Sequence, residues 1–242
     1  MPPIHLAPRP DFAQLQQRYR QTGRVHIPGI LPTEIAAHLG ELLRQPQPWD
    51  VTFYGKDEGV VIDAASWHKL GQPERELVAM NVHLTGMRGF QYLYKSWALH
   101  ERHTRQVVPG HPLAELYAWL NGEEFLNFLR ELTDEPRIAF TDGAATLYER
   151  GDFLNAHHDG GTQDRRLVAY VLNLTREWRA DWGGVLQFLD DDGHVVEGFL
   201  PKWNALNLFR VPTLHSVSVV SPVADGQRLS ISGWARAKTE MP

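Results

Sequence analysis

Residues 137–159 read RIAFTDGAATLYERGDFLNAHHD. Two strand-sized runs, 137–149 and 153–157, are joined across a turn at Gly151 and end in a histidine-rich tail. The same texture continues toward the C-terminus, with strands predicted over 166–174, 184–189, 194–200, 204–211, 215–220 and 227–236. Gly160-Gly161, Gly183-Gly184, Asp190–Gly193 and Asp225-Gly226 punctuate them. Several short strands at near-regular spacing point to a β-sandwich or barrel.

Upstream of 137 the pattern is mixed. Ile35, Leu39, Leu42 and Leu43 follow Leu31-Pro32-Thr33-Glu34 at helical spacing, so an amphipathic helix is predicted, ended by Pro46 and Pro48. Residues 49–62 and 88–94 read as strands, the second from Phe90, Tyr92 and Tyr94 alternating with Gln91 and Leu93. The stretch between them reads as less regular. Residues 113–132 read as two helices, or as one interrupted near Asn121-Gly122. No repeat or linker divides the chain. The expectation is a single mainly β domain over 1–242, with helical and strand support over about 1–136 and a β core over about 137–238.

Composition narrows the chemistry. The 242 residues are 43% hydrophobic and 22% charged, as in a folded globular chain. The net charge of −5 and the absence of a dense basic run argue against a nucleic-acid partner; Arg165-Arg166 is only a pair. With no cysteine, disulfides, thiolate metal sites and cysteine nucleophiles are excluded. The opening MPPIHLAPRP lacks the apolar core of a secretory signal. Apolar runs such as Leu167–Leu172 are strand-sized, too short to cross a membrane, so a cytoplasmic setting is expected.

The histidines carry the chemistry. In an extended segment residues i and i+2 share a face, so His157 and Asp159 can converge on one ion while His158 points away. His215, at the start of a later apolar strand, supplies a third ligand. Two histidines and one carboxylate form a facial triad with open positions, the set that suits non-haem Fe(II) and not structural zinc. Arg228 follows His215 by one strand and a turn, flanked by Leu229 and Ile231. It offers a planar fork for the far carboxylate of a dianionic oxo-acid. Ser230, Ser232 and Trp234 share its face, so either serine can add a hydroxyl bond. Tyr148 is either a cosubstrate ligand or a core tyrosine. Asn155 shares the face of His157, as a cosubstrate contact or a turn-stabilising residue. Trp178, Trp182 and Trp203 are candidates for a substrate mouth or for packing.

These residues bring out a resemblance. The chain resembles the 2-oxoglutarate/Fe(II) dioxygenase superfamily in its prolyl-hydroxylase branch, and most of all the ribosomal-protein prolyl hydroxylases. The matching stretch, Tyr148 to Arg236, includes Leu200-Pro-Lys-Trp203-Asn204-Ala-Leu206, Leu208-Phe209-Arg210-Val211, His215-Ser-Val and Arg228-Leu-Ser-Ile-Ser-Gly-Trp234. Residues 113–132 resemble the same group more loosely. The resemblance implies a double-stranded β-helix (jelly-roll) core with an N-terminal helical layer. It implies iron at His157, Asp159 and His215, and 2-oxoglutarate held by Arg228 with help from Tyr148. It also implies dioxygen as co-reactant, ascorbate as reductant and hydroxylation of a prolyl residue in a protein or peptide. A small-molecule or free amino-acid hydroxylase, and a non-catalytic metal-binding sensor, use the same scaffold. The eukaryotic ribosomal-protein hydroxylases carry a second β domain after the first, which is not expected within these 242 residues, and the loop 175–183 reads as peculiar to this chain.

Overall fold

A computed structural model of the chain describes residues 3–45, 47–104, 112–160 and 165–238. The N-terminal elements are helix α1 (Phe12–Thr22), strand β1 (Arg24–Pro28), α2 (Thr33–Arg44), β2 (Asp50–Tyr54) and β3 (Gly59–Ile62). Then come α3 (Ala64–Lys69), α4 (Gln72–Gly86), β4 (Tyr92–Ala98), α5 (Leu99–Thr104), α6 (Pro112–Leu120) and α7 (Glu123–Thr133). The remaining strands are β5 (Ile138–Thr141), β6 (Ala144–Tyr148), β7 (Phe153–His157), β8 (Arg166–Asn173), β9 (Leu186–Leu189), β10 (Val195–Phe199), β11 (Ala205–Arg210), β12 (His215–Val217) and β13 (Arg228–Ala237).

Antiparallel pairing gives the order β1-β11-β8-β13-β6-β4-β7-β12-β9-β10, with β2 and β3 continuing from β4, and β5 on the far half of β13. The sheet curls into a nearly closed jelly roll. No backbone ladder joins β1 to β10 among the described residues, yet side chains meet across that seam. Glu197 on β10 accepts from Arg24 on β1 at 2.5 Å and from Arg18 on α1 at 2.7 Å. The His26 and Phe199 rings lie 5.6 Å apart.

Alternation on β13 shows how the two faces divide. Leu229, Ile231 and Ala235 enter the main apolar core, whereas Arg228, Ser230, Ser232 and Trp234 line the cavity inside the roll. The core lies between the outer face of the sheet and helices α1, α2, α6 and α7. In α7, Phe125, Leu126, Phe128, Leu129 and Leu132 are buried at helical spacing against Leu147, Tyr170 and Ile231 from the strands. Burying each such side chain stabilises the fold by roughly 1.5–3 kcal/mol.

The structure departs from the sequence expectations in definite ways. The run 137–149 breaks at Asp142-Gly143, where the backbone crosses Gly233 so closely that a Cβ there would lie 2.2 Å from the Asp142 carbonyl oxygen. The predicted strand 88–94 is displaced to β4. The Gln91 side chain accepts from Tyr54 N–H and Tyr92 N–H and donates to Tyr54 O, taking the place of ladder bonds. The supposedly irregular middle is helical: Asp63 caps α3 by accepting from Ser66 N–H at 2.9 Å, and α4 follows. Helix α1 and strand β1 were not foreseen, and β1 and β4 pair directly with core strands. Pro46 and Gly161 lie outside the described residues. No helix among the described residues is long and apolar enough to cross a membrane.

Candidate metal and cosubstrate site

The site depends on a β-bulge. Strand β7 pairs with β12 so that His157 faces His215 while Leu154 faces Val217. Two residues of β7, Asn155 and Ala156, therefore stand opposite Ser216 alone. The bulge turns both Leu154 and His157 into the cavity. Asn155 is turned out, which corrects its expected place beside His157. Its Nδ2 donates to the carbonyls of Gly86 (3.3 Å) and Gly89 (3.1 Å), tying β7 to the end of α4.

His157, Asp159 and His215 each present a ligand atom within 4.8 Å of the others. The Asp159 oxygens lie 3.4 Å from His157 Nε2 and 3.6 Å from His215 Nε2. His158 is exposed at the rim and is outside the cluster. Both ligand rings are oriented from behind: His157 Nδ1 bonds Asn155 O and His215 Nδ1 bonds Thr213 O, each at 2.9 Å. A carbonyl only accepts, so each Nδ1 carries a proton and each Nε2 is the nitrogen left to face a metal. Burial lowers the pKa of His215 and favours that neutral form. Burial opposes charge on Asp159, but His157, His215 and Trp234 outweigh it and hold its carboxyl below the usual range. The Trp234 indole N–H faces this carboxylate without closing a hydrogen bond of normal geometry. Two imidazole nitrogens and a carboxylate thus converge, and a divalent cation fits that donor set.

Arg228 supplies the second half of the site. It is only 3% exposed, and its guanidinium lies over the Tyr148 ring at 4.7 Å. Its Nε has no partner, and no carboxylate among the described residues forms an ion pair with it. Burial depresses its pKa and pushes that of Tyr148 up, so the phenol stays protonated and able to donate. Ser230 and Thr146 share a hydroxyl–hydroxyl bond of 2.8 Å on the cavity wall, and Ser232 lies next along it. A buried, unpaired cation beside protonated hydroxyls fits the far carboxylate of an oxo-diacid.

The cavity has a volume of about 690 Å³. Sequence reasoning overlooked much of its wall. Tyr94 stacks on Tyr148 at 5.0 Å, the Tyr92 ring lies tilted 5.5 Å from Tyr94, and Phe90 lies 5.1 Å from His157. The alternation of Phe90, Tyr92 and Tyr94 was the available signal, read only as a strand. Arg166 was also overlooked: it donates to the Asp159 carbonyl at 3.2 Å and lies over the Trp234 ring at 3.8 Å. None of the three tryptophans proposed for the mouth lines the cavity. Trp178 and Trp182 pack with Tyr148, Val220 and Ala224, and Trp203 packs against Gly40 under the Arg176 guanidinium.

Residues 143–236 match the model of the 2OG-Fe(II) oxygenase superfamily. The chain is similar to prolyl 3-hydroxylase OGFOD1 of Mus musculus, 35% identical over 122 residues that make up 46% of this chain and 21% of that protein. It is also similar to prolyl 3,4-dihydroxylase OGFOD1 of Ostreococcus tauri, 29% identical over 150 residues, 58% of this chain and 28% of the other. The matched stretches thus span under a third of either relative. Among solved structures, a Pseudomonas putida prolyl-4-hydroxylase superposes with a TM-score of 0.61 at 17% identity, covering 94% of this chain and 100% of that one. A Trichoplax adhaerens prolyl hydroxylase in complex with a hypoxia inducible factor peptide fragment gives 0.60 at 14% identity, over 93% and 89% of the two chains. At these identities the likeness is one of fold.

Proposed function

We propose that this chain, whose residues 143–236 match the 2OG-Fe(II) oxygenase superfamily, is such an oxygenase and hydroxylates a prolyl residue within a polypeptide. The observation that carries this reading is the pairing of two unlike sites in one cavity. His157, Asp159 and His215 offer a converging donor set, and Arg228 waits as a buried cation without a carboxylate counter-ion among the described residues. In this assignment the triad holds Fe(II), while Arg228, Tyr148 and the Ser230 hydroxyl hold 2-oxoglutarate. When bound, iron and 2-oxoglutarate supply the oxidising power that converts a C–H bond to C–OH at the expense of dioxygen, releasing succinate and CO2.

The chain's own residues bind, orient and exclude water. The carbonyls of Asn155 and Thr213 fix both imidazoles. Tyr94, Tyr148, Val217 and Leu186 shield the inner end of the cavity. Trp234, with Arg166 laid on it, makes a flat wall for a five-membered ring, and the Arg166 guanidinium suits a backbone carbonyl of the substrate. No residue of 175–183 lines the cavity. The names of the relatives support a polypeptide substrate over a free amino acid. We further propose a single oxygenase domain working in the cytoplasm, with ascorbate as reductant; a chain without cysteine suits a reducing compartment.

The test incubates iron-loaded enzyme, 2-oxoglutarate and ascorbate with an extract from cells lacking the protein, followed by proteome-wide mass spectrometry. The expected result is one added oxygen on proline in a small set of peptides. Succinate release that depends on a low-molecular-weight filtrate, with no oxidised prolyl peptide, would replace this reading with a small-molecule substrate.

A further inference from the structure

The loop 178–184 is fastened down behind Arg228. The Trp178 indole donates to Gly183 O at 2.8 Å, Gly184 N–H to Ser218 O at 3.1 Å, and Ser221 N–H to Trp182 O at 2.9 Å. Trp182 meets Trp178 edge-on, with ring centroids 5.3 Å apart. Gly184 has φ +62°, and a Cβ built on it would lie 3.2 Å from Arg228 Cδ, 3.2 Å from Trp178 Cζ2 and 3.4 Å from Val220 Cγ2. Arg228, Tyr148 and Val217 line the cavity, whereas Trp178 and Gly184 do not. The loop therefore stands on the side of Arg228 away from the cavity.

Resting on the reading that Arg228 holds the far carboxylate of 2-oxoglutarate, we infer that Trp178 and Gly184 form a backstop that selects the length of the oxo-diacid. With Nε unpartnered, the guanidinium is held by its position over Tyr148 and by the hydrogen bond to that residue's hydroxyl, and its methylenes are fixed by packing alone. How far the cation reaches toward the metal is then set by what stands behind its methylenes. A longer diacid needs the guanidinium to retreat into space that Trp178 fills. A shorter one needs it to advance, and nothing behind it presses it forward while position 184 has no side chain.

The test measures binding, not turnover. Oxaloacetate, 2-oxoglutarate and 2-oxoadipate are titrated by calorimetry into the full chain loaded anaerobically with Fe(II). The parent is expected to prefer 2-oxoglutarate over both neighbours. Trp178→Leu should narrow the preference over 2-oxoadipate by about tenfold, the usual scale of a one-methylene discrimination. Gly184→Ala should narrow the preference over oxaloacetate by about as much. Trp178→Phe should shift the first ratio less, in the same direction, and serves if the leucine variant does not fold. Folded variants that bind metal and keep the parent ratios would overturn the backstop while leaving the functional reading intact. A parent that binds none of the three diacids would overturn both.

Discussion

A cation held away from water without a carboxylate beside it destabilises its surroundings unless an anion arrives, and Arg228 is in that position. Arg228→Gln should weaken 2-oxoglutarate binding about a hundredfold, as expected for loss of a charge-assisted bidentate pair. Calorimetry on the Fe(II)-loaded variant without oxygen checks this; unchanged affinity would assign the carboxylate to another residue. Asp152 is the opposite case, a buried acid. Burial pushes its carboxyl up to about 7, only partly offset by the Glu149 N–H that it accepts at 2.8 Å. The folded chain holds this proton more tightly than the unfolded one, so the stabilisation is full below about pH 4 and lost as pH rises through about 7. Asp152→Asn should accordingly stabilise the protein, by roughly 2 kcal/mol more at pH 8 than at pH 5. Denaturation at the two pH values decides it, and a gain independent of pH would refute the assignment. At this scale the clustering of His157, Asp159 and His215 was legible because metal ligation would constrain residue type and spacing together, and the place of Arg228 in the same cavity followed from strand alternation. Asn155 was misplaced because a bulge opposite Ser216 shifts the alternation, and no residue type announces it.

Strand β13 shows how far a single element can be read. Its alternation sorted core from cavity, and the expected strand 227–236 nearly coincides with Arg228–Ala237. What could not be read is why Gly233 interrupts it. The backbone of Asp142-Gly143 passes over this position, where β13 exchanges β6 for β5 as partner. Gly233→Ala should cost about 1–3 kcal/mol by overpacking against backbone that cannot swing aside. Urea denaturation measures the loss, and a stability equal to the parent's would mean the crossing has room to open. The missed helix α4 has a different cause. Val78, Ala79 and Val82 face inward, while Leu77, Met80 and Leu84 are exposed on the other side. Apolar residues on both faces blur the stripe that identifies an amphipathic helix. Strand β1 was hidden because its partner β11 lies some 180 residues later in the chain, and only tertiary pairing reveals it.

For the molecule as a whole, the seam between β1 and β10 is the part least secured by backbone. Glu197 spans it with Arg24 and Arg18, both partly exposed, so the contribution to global stability is small. Glu197→Ala should lower the unfolding free energy by about 1 kcal/mol, and its effect should shrink in high salt. Hydrogen exchange gives the sharper readout. Amides of β1 and β10 should exchange faster in the variant while those of β8 and β13 keep their protection; uniform acceleration would show that the seam does not open on its own. The two strands flanking the seam each pair on one side only, and β10 presents Val195 and Val196 to solvent. A bulge between Val195 and Glu197, together with the glutamate charge, keeps this edge from serving as a template. Once the charge is gone, the main hazard for the protein is self-association by strand addition, which grows with concentration and begins from a chain that is still folded.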